Sequence, residues 1–403
     1  MDLSFRFRKI LECRVDTLLF VCSLGLWIFF MVLARTSMFA GSLQGTLLKA
    51  VRCFCLATLL LSELRSGKYN FGSICFLLAV FLADTILVEQ LSAVILDGLI
   101  FVYCGRNRSF HEMASVSLIA LSLAFVAVVC ASQIGLVVDY VEVTSWRQRH
   151  YLGFLYSLYP AMYVYALTCL WIYLREERLR VIEIVFLLIV NLIIYQLTVS
   201  RLSFYLSVVV VVGAAILQIT KGRIILMNCI GAACVICFAV LAILAIAATA
   251  AYDPLNPLMA QLNSAFGDRL SLGQNALQTY GVSPFGQDVR FVGNGLLYDG
   301  VSKADGVYNY IDSLYVLLLV RYGWVSLLAF LSLMTFVVYF AWRQRDFYLV
   351  LLLVVLALHG LIDDLALYLY FNPFLLLGGK ALATQAHMRL IGGSDIKATI
   401  NEV

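Results

Sequence analysis

Long apolar runs such as VIEIVFLLIVNLII (181–194) and SVVVVVGAAIL (207–217) recur along the whole of this chain. A helix needs about 20 such residues to cross a hydrocarbon core about 30 Å thick. Inside lipid every backbone N–H and C=O must be paired within the protein, which leaves helices and closed barrels as the spanning structures. The alternation of apolar and polar residues that a barrel strand requires is absent. Composition agrees: of 403 residues, 63% are hydrophobic and 13% charged, against about a quarter charged in a soluble domain. The sequence therefore predicts an all-α, polytopic integral membrane protein, with 1–403 as a single membrane domain.

Twelve spans are predicted, at about 16–34, 46–64, 70–86, 89–104, 112–134, 151–174, 180–198, 203–219, 224–250, 312–341, 346–361 and 365–379. The first follows SFRFRKILECR without a small-residue cleavage site, so it reads as a span rather than a signal peptide. With both termini in the cytoplasm, every inner segment carries arginine or lysine, as the positive-inside rule asks. The large segment 251–311, between spans 9 and 10, is then extracytoplasmic. It holds the turn signals DPLNP, GDR, SPFG, VGNG and ADG, and loops this long are usually functional. Leu255, Leu258, Leu262, Phe266 and Leu270 recur at helical spacing within it. They predict short helices packing down as a lid over a cavity near Tyr163 and Arg201.

None of the eleven cysteines falls in 251–311, and no Cys/His cluster has metal spacing. Neither a disulfide framework, a metal site nor a cofactor is expected. No internal repeat of the kind that many transporters carry is visible.

Once the inner positive charges are set aside, the outer cations are Arg147, Arg149, Arg201, Arg269, Arg290 and Lys303. Any one could be a headgroup anchor. Arg201 stands at the tip of a tight hairpin in YQLTVSRLSFYL (195–206). An arginine fixed there can give planar, paired hydrogen bonds to phosphate oxygens. In WRQRHYLGF (146–154), Arg147 and Arg149 precede a tyrosine-rich span that includes Tyr163 and Pro160. That stretch reads as an aromatic belt or as a sugar platform, with Pro160 kinking the span.

Three patches together resemble the O-antigen and capsular or exopolysaccharide polymerase family. RHYLGF resembles that family's Arg-x-x-Leu-Gly-Phe stretch, and TVSRLSF is similar to its Thr-x-Ser-Arg hairpin. DRLSLGQNALQTYGVSPFGQ resembles the large outer loop, and DSLYVLLLVRYGW resembles the start of the following span. The likeness lies in the second half of the chain. It departs after LGF, where LYSLYP stands in place of a His- or Tyr-Pro-Asn stretch.

The resemblance implies a glycosyltransferase-type polymerase of undecaprenyl-diphosphate-linked repeat units, acting at the outer face of the cytoplasmic membrane. It further implies chain-length regulators and other polysaccharide-assembly proteins as partners, and no nucleic acid. Such an enzyme must stabilise a pyrophosphate leaving group and deprotonate an acceptor hydroxyl. Arg201 is the expected leaving-group contact, with Arg147, Arg149 or Arg269 as a second cation and Arg290 and Tyr163 toward substrate. For the base, Asp312 and Asp268 stand out among the loop acids, although Asp312 also reads as a helix N-cap. His359, Asp363 and Asp364 form a further acidic group, either a helical i, i+4 pair or an outer turn. A ligase using the same donor, and a flippase with charges buried in mid-span (Glu183, Arg321, His359), remain as alternatives.

Overall fold

The computed structural model describes residues 15–39, 42–66, 93–145, 147–220, 224–380 and 383. The chain is mostly helical. Its first four helices are α1 (Val15–Leu33), α2 (Ser42–Ser66), α3 (Ala93–Gly105) and α4 (Phe110–Gln133). A short antiparallel hairpin follows, β1 (Val141–Thr144) with β2 (Arg147–His150). Next come α5 (Leu158–Arg175), α6 (Val181–Thr198), α7 (Arg201–Ile219), α8 (Ile224–Cys234), α9 (Cys237–Ala250), α10 (Pro257–Ala265) and α11 (Arg269–Tyr280). The last two are α12 (Leu314–Arg343), with a π-helical turn at Leu318–Tyr322, and α13 (Phe347–His359).

Among the described residues, five helices are long and apolar enough to cross a membrane: α1, α4, α6, α7 and α12. The bent pair α8–α9, folded by 46°, makes a sixth. The exposed side chains on these helices are themselves apolar, as with Ile189 and Ile193 on α6 and Val209 and Ile216 on α7. Helices apolar on every face belong in lipid, so this is a membrane-embedded protein.

Several predicted elements differ from the observed ones. The predicted span 70–86 and the start of 89–104 lie outside the described residues. The small β-hairpin departs from a purely helical fold. The predicted span 151–174 becomes helical only at Leu158. Leu152 and Gly153 have positive φ (52° and 85°), which a right-handed helix cannot absorb, and Phe154 bridges Thr36 instead. Pro160 does not kink α5. It lies in the first turn, where its missing N–H would have had no helical partner.

The predicted last span, 365–379, crosses the core without forming a long helix. Two short 3-10 turns, Leu365–Leu367 and Pro373–Leu376, are joined by irregular chain. At one end Asp364 meets the 251–313 segment through Tyr310. At the other, Phe374 lies 5.7 Å from Phe110, just beyond the basic α3–α4 turn, and Gly379 abuts Val102. Irregular backbone at such depth is tolerated only when enclosed by protein. The enclosure is close: Leu369, Tyr370, Phe371, Phe374 and Leu376 are all buried. Local N–H···O bonds such as Phe371 to Tyr368 and Leu375 to Asn372, with the Asn372 amide donating to the Ala366 carbonyl, satisfy much of the backbone.

The segment between α9 and α12 folds back over the ends of α1 and α5. Leu296 N–H donates to the Leu155 carbonyl (2.7 Å), Lys303 Nζ pairs with Glu142 (2.7 Å) and Gly300 lies against Ser37. This end is called the loop end below. The opposite end carries the turns with Arg106 and Arg108, Arg175 to Arg180, and Arg343 and Arg345.

Candidate functional site

The loop end gathers three aspartates beneath the covering segment. Asp312 stands immediately before α12. It does not cap that helix: Ser313 occupies the cap position. Instead its Oδ2 accepts a hydrogen bond from the Tyr308 hydroxyl (2.8 Å) and lies 3.8 Å from Arg269 Nε. Asp363 and Asp364 sit in the turn after α13. Asp363 Oδ1 accepts from Leu365 N–H (2.8 Å), and Asp364 Oδ2 accepts from the Tyr310 hydroxyl (2.6 Å).

Arg269 opens α11 and reaches this turn, its Nε donating to the Ile362 carbonyl (2.5 Å) and its Nη1 to the Phe266 carbonyl (2.8 Å). The local chain explains its position. Gly267 and Asp268 both have positive φ (63° and 64°), and this reversal turns α11 back toward α9. Asp268 itself is exposed, accepting from the Asn263 amide (3.1 Å) rather than facing the cluster.

Burial sets the electrostatics. It pushes the Asp312 carboxyl up to about 6, against the opposing pull of Arg269 and the Tyr308 hydroxyl. Burial also raises Asp363, again opposed by Arg269, and raises Asp364 further, with the neighbouring Asp363 and Asp312 charges adding to the rise. Three carboxyls therefore stand close together in a largely dry site, where Arg269 ion-pairs with Asp312. Like charges so placed cannot all ionise cheaply. A carboxyl titrating near 6 is suited to accept a proton near neutral pH, and the arginine and the tyrosine hydroxyls are donors for anionic or hydroxylated ligands.

The other predicted site residues fall at different distances from this cluster. Arg149 is buried, donating from Nε to the Thr198 carbonyl (3.0 Å) with Glu142 3.7 Å from Nη1. Tyr156 feels both Arg149 and the Asp312–Arg269 pair, and so links the hairpin to the cluster. Arg147 lies beside Arg149 and Glu142. Tyr163 is buried, stacked on Phe371 (4.6 Å). Arg201 begins α7, is exposed, and makes no hydrogen bond or ion pair among the described residues. The Arg290 side chain is 95% exposed, 4.0 Å from Asp288.

Two further arginines stand at this end: Arg35, which the sequence reading leaves unnamed, and Arg321, which it places in mid-span. The Arg35 guanidinium lies 5.3 Å from the Tyr370 ring, with Tyr159, Tyr163 and Tyr368 around it. Arg321 is not in mid-span but at the loop end, where Gly286 and Gln287 meet its backbone. Its guanidinium lies 5.3 Å from the Phe291 ring, and its Nε is buried without a partner. Glu183 likewise is not in mid-span, but pairs with Arg175 (2.9 Å) at the basic end. His359 does not pair with Asp363 through side chains. It stacks on Tyr165 (5.4 Å), and both ring nitrogens are unpartnered.

Among the described residues no group of three or more His, Cys, Asp or Glu side chains is disposed to hold a metal ion. Comparison of the chain with family models, curated proteins and solved structures finds no match.

Proposed function

We propose that the chain is a polymerase of lipid-linked oligosaccharides. It would transfer a growing glycan from undecaprenyl diphosphate to a hydroxyl of another lipid-linked unit. The observation that carries this reading is the buried Asp312–Asp363–Asp364 group beside Arg269, Tyr308 and Tyr310. In this reading the chain lies in the cytoplasmic (inner) membrane and makes about twelve crossings, with both termini inside. The 251–311 segment then covers the site from the extracytoplasmic side. Chain-length regulators and other polysaccharide-assembly proteins are its partners.

Asp312 serves as the general base for the acceptor hydroxyl. Arg269 is the nearest cation to the leaving pyrophosphate. Tyr308 and Tyr310 hold the carboxylates in place and offer donors to sugar hydroxyls. Arg201, exposed and unpaired, captures the donor headgroup at the membrane surface before it reaches the cluster. General-base catalysis contributes about 10²–10⁴-fold in rate, which sets the scale of the test.

The test is polymer length on a gel for Asp312→Asn, Arg269→Gln and Arg201→Ala, at matched protein level in a strain that depends on this chain. Loss of long chains in the first two, with single repeat units accumulating outside, supports the reading. Normal polymer in both would overturn it. Repeat units trapped inside the cell would point to a flippase.

A further inference from the structure

We propose that α10 lies flat in the lipid headgroup region of the loop-end leaflet, an in-plane membrane anchor for the Arg269 end of the site. The residues of α10 sort into three sectors. Asn263 is the one buried residue of the helix, and it faces α11. Its amide donates to Asp268 Oδ1 (3.1 Å) and Ser271 Oγ (3.2 Å), and its carbonyl accepts from Ser271 N–H (3.0 Å). A second sector holds Leu258, Leu262 and Phe266, one turn apart, with Leu255 just before the helix. They are 63, 37, 36 and 88% exposed respectively. Gln261 and Ser264, also exposed, make up the third.

Met259 and Ala260 are half-buried on the Asn263 side, but the leucines are placed where water would select polar residues. The chain buries the asparagine against itself and turns the leucines outward. The expected packing of these leucines onto the chain's own spans does not occur; within the series only Leu270 is buried. Exposed apolar faces of this kind mark contact with a membrane or another protein.

Two observations select lipid. The α10 helix follows closely on a lipid-facing one: the exposed residues of α9 include the apolar Ile243 and Leu244, α9 ends at Ala250, and the six-residue connection to Pro257 keeps α10 near that end of the span. The helix also pairs this apolar sector with a distinct polar one of Gln261 and Ser264, and at nine residues it is too short to pass through a bilayer, as suits an element lying at the interface.

The anchor has a defined cargo. Asn263 grips both Asp268 and Ser271, the residues on either side of Arg269 and Leu270. Arg269 in turn contacts Asp312 and Ile362. Docking of α10 on lipid therefore sets where Arg269 stands over the carboxylates. The inference needs only the membrane-embedded class and stands whether or not the chain is a polymerase.

The experiment places a photo-crosslinking benzoylphenylalanine at Leu258, at Leu262 or, as a control, at Ser264. The full chain is reconstituted in nanodiscs of phosphatidylethanolamine and phosphatidylglycerol. Illumination followed by intact-protein mass spectrometry is expected to add one phospholipid mass at 258 and 262, and none at 264. Adducts of twice the chain mass would overturn the proposal in favour of a second copy. Absence of lipid adducts at both leucine positions would overturn it in favour of an aqueous face. A second arm follows Leu258→Asn/Leu262→Asn in the same nanodiscs, reading the exchange protection of the 263–271 backbone. Protection is expected to fall there while α12 is unchanged; unaltered protection would deny the coupling to Arg269.

Discussion

Two groups of buried charge occupy opposite parts of this molecule and are built on different terms. In the N-terminal half, each of three arginines meets a carboxylate of its own, Arg52 with Asp97, Arg106 with Glu63 and Arg108 with Asp16. Arg52 makes two hydrogen bonds to Asp97 (2.5 and 2.9 Å), and Trp27 donates to the same carboxylate (3.1 Å). Arg106 pairs with Glu63, and Arg108 donates to Ser62 (2.6 Å). At the loop end, three carboxyls gather and Arg269 ion-pairs with one of them, Asp312, at 3.8 Å. A matched pair holds helices together. An acidic group in excess of its cations is costly to keep, and such imbalance marks a place where the protein uses its charges.

The comparison breaks most sharply at Arg52–Asp97. Asp97→Leu removes both charge-assisted hydrogen bonds to the half-buried Arg52, a loss of about 1.5–3 kcal/mol, seen as a lowered unfolding midpoint in detergent. Adding Arg52→Met should recover most of that loss, because two well-packed apolar residues can replace a buried pair. Failure of the double variant to recover would show that this pair is more than a fastening.

At the loop end the signs reverse. Asp312→Asn should cost about 100-fold or more in activity while leaving the unfolding midpoint unchanged or raised, since it removes a strained charge. A matching fall in stability would place Asp312 with the structural pairs.

The pH dependence sharpens the same contrast. The Asp312 pKa rises on folding from 3.8 to about 6, so the native state holds a proton that the unfolded chain has lost. Its contribution to stability is present below about pH 4 and is lost as pH rises through about 6. The decline is on the order of 3 kcal/mol and should be absent in Asp312→Asn. Activity that requires the carboxylate should rise over the same interval.

The smallest effect belongs to Lys303→Met. Its pairing with Glu142 is half-exposed, so about 1 kcal/mol or less is expected, measured as loosened proteolytic protection of the covering segment.

The sequence made part of this legible. The apolar runs located most helices because hydrophobic length is what a bilayer demands. Asp312, with Asp363 and Asp364 as alternatives, could be named because acids flanking long apolar runs are conspicuous. Arg269 was among the outer cations for the same reason. Hydropathy does not register backbone conformation, so 365–379 looked like any other span, and the left-handed Leu152 and Gly153 left no mark in a window of apolar residues. Arg35 passed unnoticed because an arginine just after a span looks like a headgroup anchor. Its tyrosine surroundings come from α5 and the segment after α13, far away in sequence. Arg201 stands out through its hairpin, yet nothing local says that its side chain is exposed and makes no ion pair with the acids. Arg321 looked central because spacing along a helix does not say at which depth the helix begins.

The irregular crossing at 365–380 has a consequence for how the protein is made. Entry into the lipid phase favours segments that can close their own backbone hydrogen bonds as a helix, and from Leu365 to Leu376 this one does so only in short turns. It leaves the ribosome after α1, α4 and α5, which enclose it among the described residues. Its place among Trp27, Phe110 and Tyr163 must therefore be received from a bundle already assembled. Maturation of the acidic cluster then becomes a late, post-insertion event, and a cell that stalls the bundle's assembly would accumulate a full-length chain with Asp364 not yet delivered to Tyr310.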